Sequence, residues 1–455
     1  MSLYTSINPY TGLTLKSFPD RSDEEILQHL LKAKEAQQTW KTLSFHERSK
    51  PVLKLAELIR EQADSLALLA THEMGKPVKE AMAEVLKCIS SCIYYAGNAE
   101  QILKPISSIS DNHKRVEIHH EPMGVILGIF PWNFPYWQII RSAIPAVMAG
   151  NAMLIKPAPN TPQSAMALQH LFYEAGFPID LLQTVLASNE QVTMLIRHKY
   201  IAACTLTGSE QAGASIASQA ALQIKKSVLE LGGSDPFIVM HDADLHQAAE
   251  TAITARFQNN GQSCIASKRF ILHQDIAAKF LELFIARISK LKLGDPTDES
   301  VQIGPLARRD LLYKLKEQVD ESVIAGAKII YQHPAEPVKG YFFPPTVLTE
   351  IPSHAPAYKE ELFGPVVSAF TFTDETEAVR IANDTTFGLG ATVWTSDLAT
   401  GKRMAEALEC GQVFINGLVK SNAHFPFGGV KRSGFGRELG EWGLKEFCSV
   451  KTIWQ

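Results

Sequence analysis

Two doubly wound α/β domains are predicted for this chain on three observations. Its 455 residues, 45% hydrophobic and 20% charged, describe a globular protein large enough for two or more domains, each with its own core. Val125-Ile126-Leu127-Gly128-Ile129-Phe130 is a continuous apolar run, as expected of a strand covered on both faces of a parallel sheet. From that run to Tyr331, strand and helix patterns alternate, and Gly232-Gly233 divides the alternation into two halves.

A helical layer comes first. Asp20-Arg21-Ser22-Asp23 supplies capping residues, after which Ile26, Leu27, Leu30, Leu31 and Ala33 recur at helical spacing. Similar periodicity runs from Glu47 to Ala70 and from Val78 to Leu103, broken by Gly75 and Pro77. Cys88 and Cys92 fall on one helical face. Without a further Cys or His at ligand spacing, they read as small core residues rather than a metal pair. Lys114 to Pro122 alternates as a half-exposed strand, which puts His119 and His120 on the surface.

The first sheet follows. After the strand at Val125 come the loop Pro131-Trp132-Asn133-Phe134-Pro135 and a helix to Ala149. The pattern repeats as strand Ala152 to Lys156, helix Ser164 to Glu174, strand Thr184 to Leu186, a helix near Val192, strand Ile201 to Thr205, helix Gln211 to Ala221 and strand Ser227 to Leu231. The second half opens with strand Phe237 to Met240, Asp242-Ala243-Asp244 as a helix cap, and a helix through Ala255. It continues with strand Arg269 to Leu272, helices Ala277 to Leu291 and Leu311 to Ala325, and strand Lys328 to Tyr331. The last residues, Cys448 to Trp454, alternate like an exposed edge strand that needs a partner, expected in an oligomer.

Several function classes are excluded by composition. A formal net charge of −4 with no Lys/Arg-rich block leaves no electrostatic footprint for nucleic acid. No window approaches the roughly 18 apolar residues of a membrane span, and Met1 to Pro9 lacks the basic and apolar regions of a signal peptide. Six cysteines are too sparse for a disulfide framework, which fits a reducing cytoplasm.

Ligands of such sheets sit beyond the carboxyl ends of the strands. Lys156 ends one strand as a cation able to reach a ribose or phosphate, with a solvated lysine as the alternative. Thr207-Gly208-Ser209 opens a helix with groups that suit an anion, or that merely cap it. The polar turn Phe257-Gln258-Asn259-Asn260-Gly261-Gln262-Ser263-Cys264 ends on a thiol. With the carboxylate of Glu230 and the amide of Asn133, that thiol makes a nucleophile, a proton acceptor and an oxyanion donor. No histidine lies in a protease-like motif, so a thiol capturing a carbonyl beside a hydride-accepting nucleotide is the better reading.

Eight segments in order resemble the aldehyde dehydrogenase superfamily across essentially the whole chain: Pro131 to Pro135, Lys156-Pro157, Thr207 to Ser209, Leu229 to Gly233, Gly261 to Cys264, Glu361-Leu362-Phe363-Gly364-Pro365, Asn416-Gly417 and Pro426 to Gly429. Leu231 to Pro236 and Arg432 to Glu438 look most like the shorter bacterial succinate semialdehyde dehydrogenases. The resemblance implies an NAD(P)-binding domain over 1–103 and 123–231, a catalytic domain over 232–430, and a small β oligomerisation element from 104–122 and 431–455. A homodimer or dimer of dimers follows from it.

The same resemblance implies that Cys264 attacks an aldehyde, that Asn133 and the Cys264 N–H hold the oxyanion, and that Glu230 activates water against the thioester. Lys156, Pro131, Trp132, Gly208, Ser209, Glu361 and Phe363 would hold the cofactor. Arg141, Trp137, Gln258 and Ser263 would line the substrate site, and Asn416 is either catalytic or packing. Pro159 stands where many NAD-preferring relatives carry a glutamate, so NADP is expected to be preferred and NAD accepted. Arg141, about two helical turns beyond Asn133, is expected to face the substrate mouth and to suit a distal carboxylate. Gln258 replaces a second arginine that some semialdehyde-oxidising relatives carry. A hydrolase on the same fold, or a binding protein without catalysis, are the readings of other classes. The latter would be expected to lose Cys264 or Glu230.

Overall fold

The computed structural model describes residues 3–109, 114–334 and 339–455. Its first sheet has the strand order Gly434–Phe435, Lys226–Glu230, Ile201–Thr207, Val125–Ile129, Ala152–Lys156, Leu182–Thr184. All neighbours are parallel except the first pair. The second sheet runs Lys328–Gln332, Thr346–Thr349, Val366–Phe372, Ser267–His273, Asp235–Val239, Ala391–Trp394, Val413–Ile415, antiparallel only at Lys328–Gln332. Both central sets are buried on both faces, and this explains why their sequences read as unbroken apolar runs. Strand Lys226–Glu230 ends at the Leu231–Ser234 connection into the second sheet, so this short segment leads from one domain into the other and brings Glu230 to their junction.

The helical layer packs on the first sheet. The periodicity read from Glu47 to Ala70 belongs to two helices, Phe45–Glu61 and Ala63–Met74, divided at Gln62. Val78–Ile102 is one long helix in which Cys88 and Cys92 are fully buried, the Cys88 thiol donating to Glu84 O. Two strands the sequence reading missed, Tyr4–Ile7 and Thr14–Phe18, form an antiparallel hairpin held to the first domain by Thr5 N–H donating to Pro159 O. The strand expected at Thr184 to Leu186 lies at Leu182–Thr184, set by pairing with Met153–Ile155. Asp244 caps the helix Leu245–Phe257 as expected, whereas Asp242 instead accepts from Thr395, Ser396 and Asp397.

A third sheet joins Ile106–Ile109, Arg115–Pro122 and Cys448–Trp454. This corrects the expectation that the C-terminal strand finds its partner in an oligomer: Cys448 to Trp454 pair within the chain, against Pro122 to Val116, leaving one edge open. His119 and His120 on the middle strand are half-buried rather than surface residues, at positions where that strand pairs with Lys451 and Val450 of the C-terminal strand. The expected oligomerisation element also shrinks. Gly434–Phe435 joins the first sheet and helix Gly440–Glu446 packs on Val78–Ile102 and Trp137–Met148, so only Cys448 onward belongs to the small sheet at that end. Residues 110–113 of that element lie outside the described residues.

Candidate active site

Cys264 follows a loop that two asparagines hold in an unusual path. Asn259 and Asn260 have φ of +56° and +58°, in the left-handed region that Asn tolerates better than most residues. Each spends its side chain on backbone: Asn259 Nδ2 donates to Asn133 O and Gln262 O, and Asn260 Nδ2 to Gly75 O and Pro305 O. Glu80 accepts from Asn259 N–H. Arg256, fully buried, donates to Val366 O, Leu362 O, Gly364 O and Gly261 O, stapling the Glu361–Pro365 segment to the loop before the thiol.

Asn133 is buried beside that loop, its Nδ2 donating to Gln262 O at 3.1 Å while its Oδ1 accepts from Gln138 Nε2 at 3.0 Å. Helix Trp137–Met148 has no cap of its own. Glu84, from the long helix Val78–Ile102, accepts from Tyr136 N–H and Trp137 N–H at 2.8 and 2.9 Å and is ion-paired to the buried Lys76.

Cys264 itself is half-buried, and burial pushes its thiol up to about 12 while the positive charges of Lys268 and Arg141 pull it down. Lys268 Nζ donates to Ser263 O and Cys264 O at 2.6 and 2.8 Å and pairs with Glu361 at 2.9 Å. Glu361 also accepts from Gly233 N–H at 3.1 Å. Glu230 is 2% exposed, and among the described residues neither of its carboxylate oxygens has a hydrogen-bond partner. Burial first, then the neighbouring Glu438, raises it well above the usual carboxylate range, against Arg141 and Arg437.

Between the two domains lies a cleft of about 550 Å³ lined by Pro131, Trp132, Asn133, Thr207, Gly208, Ser209, Leu231, Gly232, Cys264, Glu361 and Phe363, among others. Trp132 and Phe363 meet edge to face across it, with ring centroids 5.8 Å apart. Ser209 caps helix Glu210–Leu222, so the positive end of a 13-residue helix faces the opening. These walls fit a dinucleotide: a helix N-terminus for phosphates, aromatic walls for a ring, and a carboxylate for a ribose.

Lys156 sits apart from this lining, at its strand end beside the N-terminal hairpin, with its ammonium 5.7 Å from the Tyr4 ring centroid. Burial pushes it down to about 8, and among the described residues no carboxylate pairs with it. An unpaired, desolvated cation of this kind suits a phosphate.

The expected substrate residues are distributed unevenly. Arg141 is not an open cation at a mouth: it is 4% exposed, ion-paired to Glu438, bonded to Thr207 Oγ1 at 3.2 Å, and set against the Phe427 ring. The helix turns it inward, where a buried guanidinium needs a counter-ion. Trp137 is buried on the same helix. Ser263 is buried with its hydroxyl unpartnered, and Gln258, at the end of helix Leu245–Phe257, holds a buried Nε2 without an acceptor. Asn416, expected to be either catalytic or packing, accepts from Thr395 N–H and donates to Thr395 O through its amide. Sequence reasoning missed Gln138, Lys268, Arg256, Glu84 and Glu438. The first two lie within five residues of Asn133 and Cys264, and the others carried no local signal.

A thiol, an amide donor and a buried carboxylate at the junction of two α/β domains, beside a dinucleotide-shaped cleft, have the make-up of an enzyme that oxidises carbonyl substrates. The profile of the Aldehyde dehydrogenase family matches residues 2–453, and the chain belongs to this family. It is 46% identical over 449 residues to the "Probable succinate-semialdehyde dehydrogenase [NADP(+)]" of Synechocystis sp., covering 99% of both chains. It is 47% identical over 452 residues to the "Succinate-semialdehyde dehydrogenase [NADP(+)]" of Mycobacterium avium, covering 99% of this chain and 96% of the relative. Among solved structures, the succinic semialdehyde dehydrogenase of Streptococcus pyogenes in complex with NADP+ superposes with a TM-score of 0.97 at 35% identity, over 99% of both chains. The succinate-semialdehyde dehydrogenase of Burkholderia pseudomallei gives 0.96 at 35%, over 99% of this chain and 94% of that one. Among the described residues, no helix is long and apolar enough to cross a membrane.

Proposed function

We propose that this chain oxidises succinate semialdehyde to succinate with NADP, accepting NAD less well. The observation that carries the reading is the 46–47% identity, over nearly the full length, to two relatives named for that substrate and cofactor. The unpaired cation of Lys156 supports the cofactor half. It lies where a 2′-phosphate could be bound, and Pro159 puts no carboxylate in the way.

In this reading the Cys264 thiolate adds to the aldehyde carbon, and the oxyanion is held by Asn133 Nδ2 and the Cys264 N–H. Such donors contribute about 3 kcal/mol each elsewhere. The bound cofactor supplies the acceptor for the hydride that leaves the carbon. Glu230 takes a proton from water, the hydroxyl adds to the thioester, and the Cys264 thiolate leaves as the carboxylate forms. Pro131, Trp132, Gly208, Ser209, Glu361 and Phe363 hold the cofactor, with Lys268 keeping Glu361 in place. Trp137, Gln258 and Ser263 shape the substrate site, beside Arg141, whose charge is paired with Glu438. The chain assembles through the small sheet as a homodimer or dimer of dimers, with Val450, Ile453 and Trp454 exposed near its open edge. The six free cysteines fit a cytoplasmic setting.

Steady-state rates at 340 nm with succinate semialdehyde, glutarate semialdehyde and butanal, each with NADP and NAD, test both halves. The highest kcat/KM is expected for succinate semialdehyde with NADP. A strong NAD preference overturns the cofactor assignment, and equal rates with butanal overturn the substrate.

A further inference from the structure

Lys268 is the second residue of strand Ser267–His273, and its buried ammonium stands between the thiol loop and the cofactor cleft. On one side Nζ donates to Ser263 O at 2.6 Å and to Cys264 O at 2.8 Å. On the other it pairs with Glu361 Oε1 at 2.9 Å, with the Phe363 ring centroid 5.8 Å away. An ammonium has three N–H bonds, and these three acceptors use them all. Glu361 Oε1 also accepts from Gly233 N–H. Among the described residues no donor reaches Oε2, so half of the carboxylate is left for the cleft that Glu361 lines.

Both ends of this link are fixed. Arg256 donates to Leu362 O and Gly364 O on the Glu361 side and to Gly261 O on the thiol side, and Asn259 Nδ2 holds Gln262 O. With the backbone held at either end, what Lys268 passes between the cleft and the sulfur is charge rather than movement. A neutral amide could hold two carbonyls as well, whereas a buried ammonium costs far more to desolvate.

The thiol responds to that charge. Burial raises it, and of the charges that reach it Lys268 opposes the rise most, then Arg141, while Glu361 and Asp235 add to it. Lys87, on helix Val78–Ile102, also lies within electrostatic reach of the thiol. Arg141 is spent on Glu438. Asp235 is buried, with Oδ1 accepting from Gly390 N–H, and burial pushes it up to about 8, so it is mostly uncharged near neutral pH. Lys268 and Glu361 are then a one-to-one pair. How strongly the ammonium acts on the sulfur depends on how much of the Glu361 charge is taken up elsewhere.

We propose that Lys268 is a positioning residue that couples the cofactor cleft to the nucleophile: a ribose diol bonded to Glu361 weakens that carboxylate's hold on the ammonium and leaves Lys268 to stabilise the Cys264 thiolate. The thiol thus stays protonated until the cleft is filled. This rests on the cofactor reading above, in which Glu361 holds a ribose.

The test uses the NADP fragment that ends at the second ribose, so that neither the charge nor the bulk of the nicotinamide ring acts on the sulfur. Only the thiolate is alkylated, so the rate at which iodoacetamide labels Cys264 at about pH 8, read by peptide mass spectrometry apart from the other cysteines, reports its ionisation. Saturating fragment should raise the wild-type rate about tenfold, the effect of lowering the pKa of a mostly protonated thiol by about one. Lys268→Met should be labelled more slowly than the wild type and show no response, while Lys268→Arg, which keeps the charge, restores part of it. Glu361→Gln, which decides the matter if Lys268→Met does not fold, should be labelled fast with no fragment present. A tenfold response that survives in Lys268→Met overturns the proposal. So does a Glu361→Gln rate no higher than the wild type's, or a fragment that binds the wild type without changing its rate. If calorimetry shows that neither the fragment nor NADP binds the wild type, the cofactor reading fails instead.

Discussion

The Gln138 amide donates to Asn133 Oδ1 at 3.0 Å, and this single contact fixes which end of the Asn133 amide faces the thiol loop. With Oδ1 taken, Nδ2 must point to Gln262 O, beside Cys264. A primary amide left to itself could turn over and present an oxygen to the developing oxyanion, which would repel it.

Gln138→Ala should therefore lower kcat about tenfold with little change in KM, because orientation of a donor matters in the transition state more than in the ground state. Combined with Asn133→Ala it should add almost nothing further. Steady-state kinetics of the two single variants and the double variant check this, and full additivity would count against a shared role.

Glu230 is held well above the usual carboxylate range by burial and by Glu438. A group raised in this way is a neutral acid at low pH and becomes a base only as pH climbs past its shifted value, so thioester hydrolysis should accelerate as pH rises beyond the usual carboxylate range. Glu230→Gln should release one NADPH equivalent per site in the first turnover and then slow by roughly 100-fold or more. Stopped-flow absorbance separates the burst from the steady state, and a variant without a burst would place Glu230 in the first half-reaction instead.

Space at Gly428 belongs to the same carboxylate. A β-carbon there would lie 2.6 Å from Glu230 Oε1, on a backbone with φ of +155°. Gly428→Ala should displace Glu230 and reproduce the burst-then-slow behaviour with a smaller loss, about tenfold in the steady state. Burst amplitude and steady-state rate, measured together, decide it.

Burial leaves Lys156 with a value near 8, so it is charged below that pH and loses its charge as pH rises through it. Affinity for NADP should fall above about pH 8 while affinity for NAD, which has no 2′-phosphate, stays nearly flat. Lys156→Ala should remove the difference at all pH values. Fluorescence titration of the two reduced cofactors between pH 6.5 and 9.5, a range set about the ordinary limits of the amine shift, supplies the comparison.

Much of the frame was legible beforehand because it is written locally. Strand Ala152–Lys156 occupies the span expected for it, and Val125–Ile129 falls one residue short, since a strand buried on both faces needs an apolar residue at every position. Cys264 stood out from its polar, glycine-broken approach, which exposes a side chain at a turn. The N-terminal hairpin was missed because its second strand, Thr14–Phe18, is almost wholly exposed and shows no buried period. The C-terminal strand was recognised as needing a partner, but a period-2 pattern says nothing about which strand it will meet.

By itself, the sequence determined two α/β domains, the thiol at Cys264 and the motifs around it, and a Lys156-Pro157-Ala158-Pro159 turn without a carboxylate. Each of these depends on residues within a few positions of one another. Only the tertiary structure decided which charges are already spent: Arg141 on Glu438, Lys268 on Glu361, Glu84 on Lys76, while among the described residues Lys156 and Lys87 are left without a carboxylate. Two of those ion pairs join residues far apart in the chain, and all three sit in low-dielectric surroundings, where an unpaired charge is expensive and a counter-ion must come from whichever segment folding delivers. That distribution cannot be read from spacing, and it separates the cations that hold the protein together from those available to a ligand.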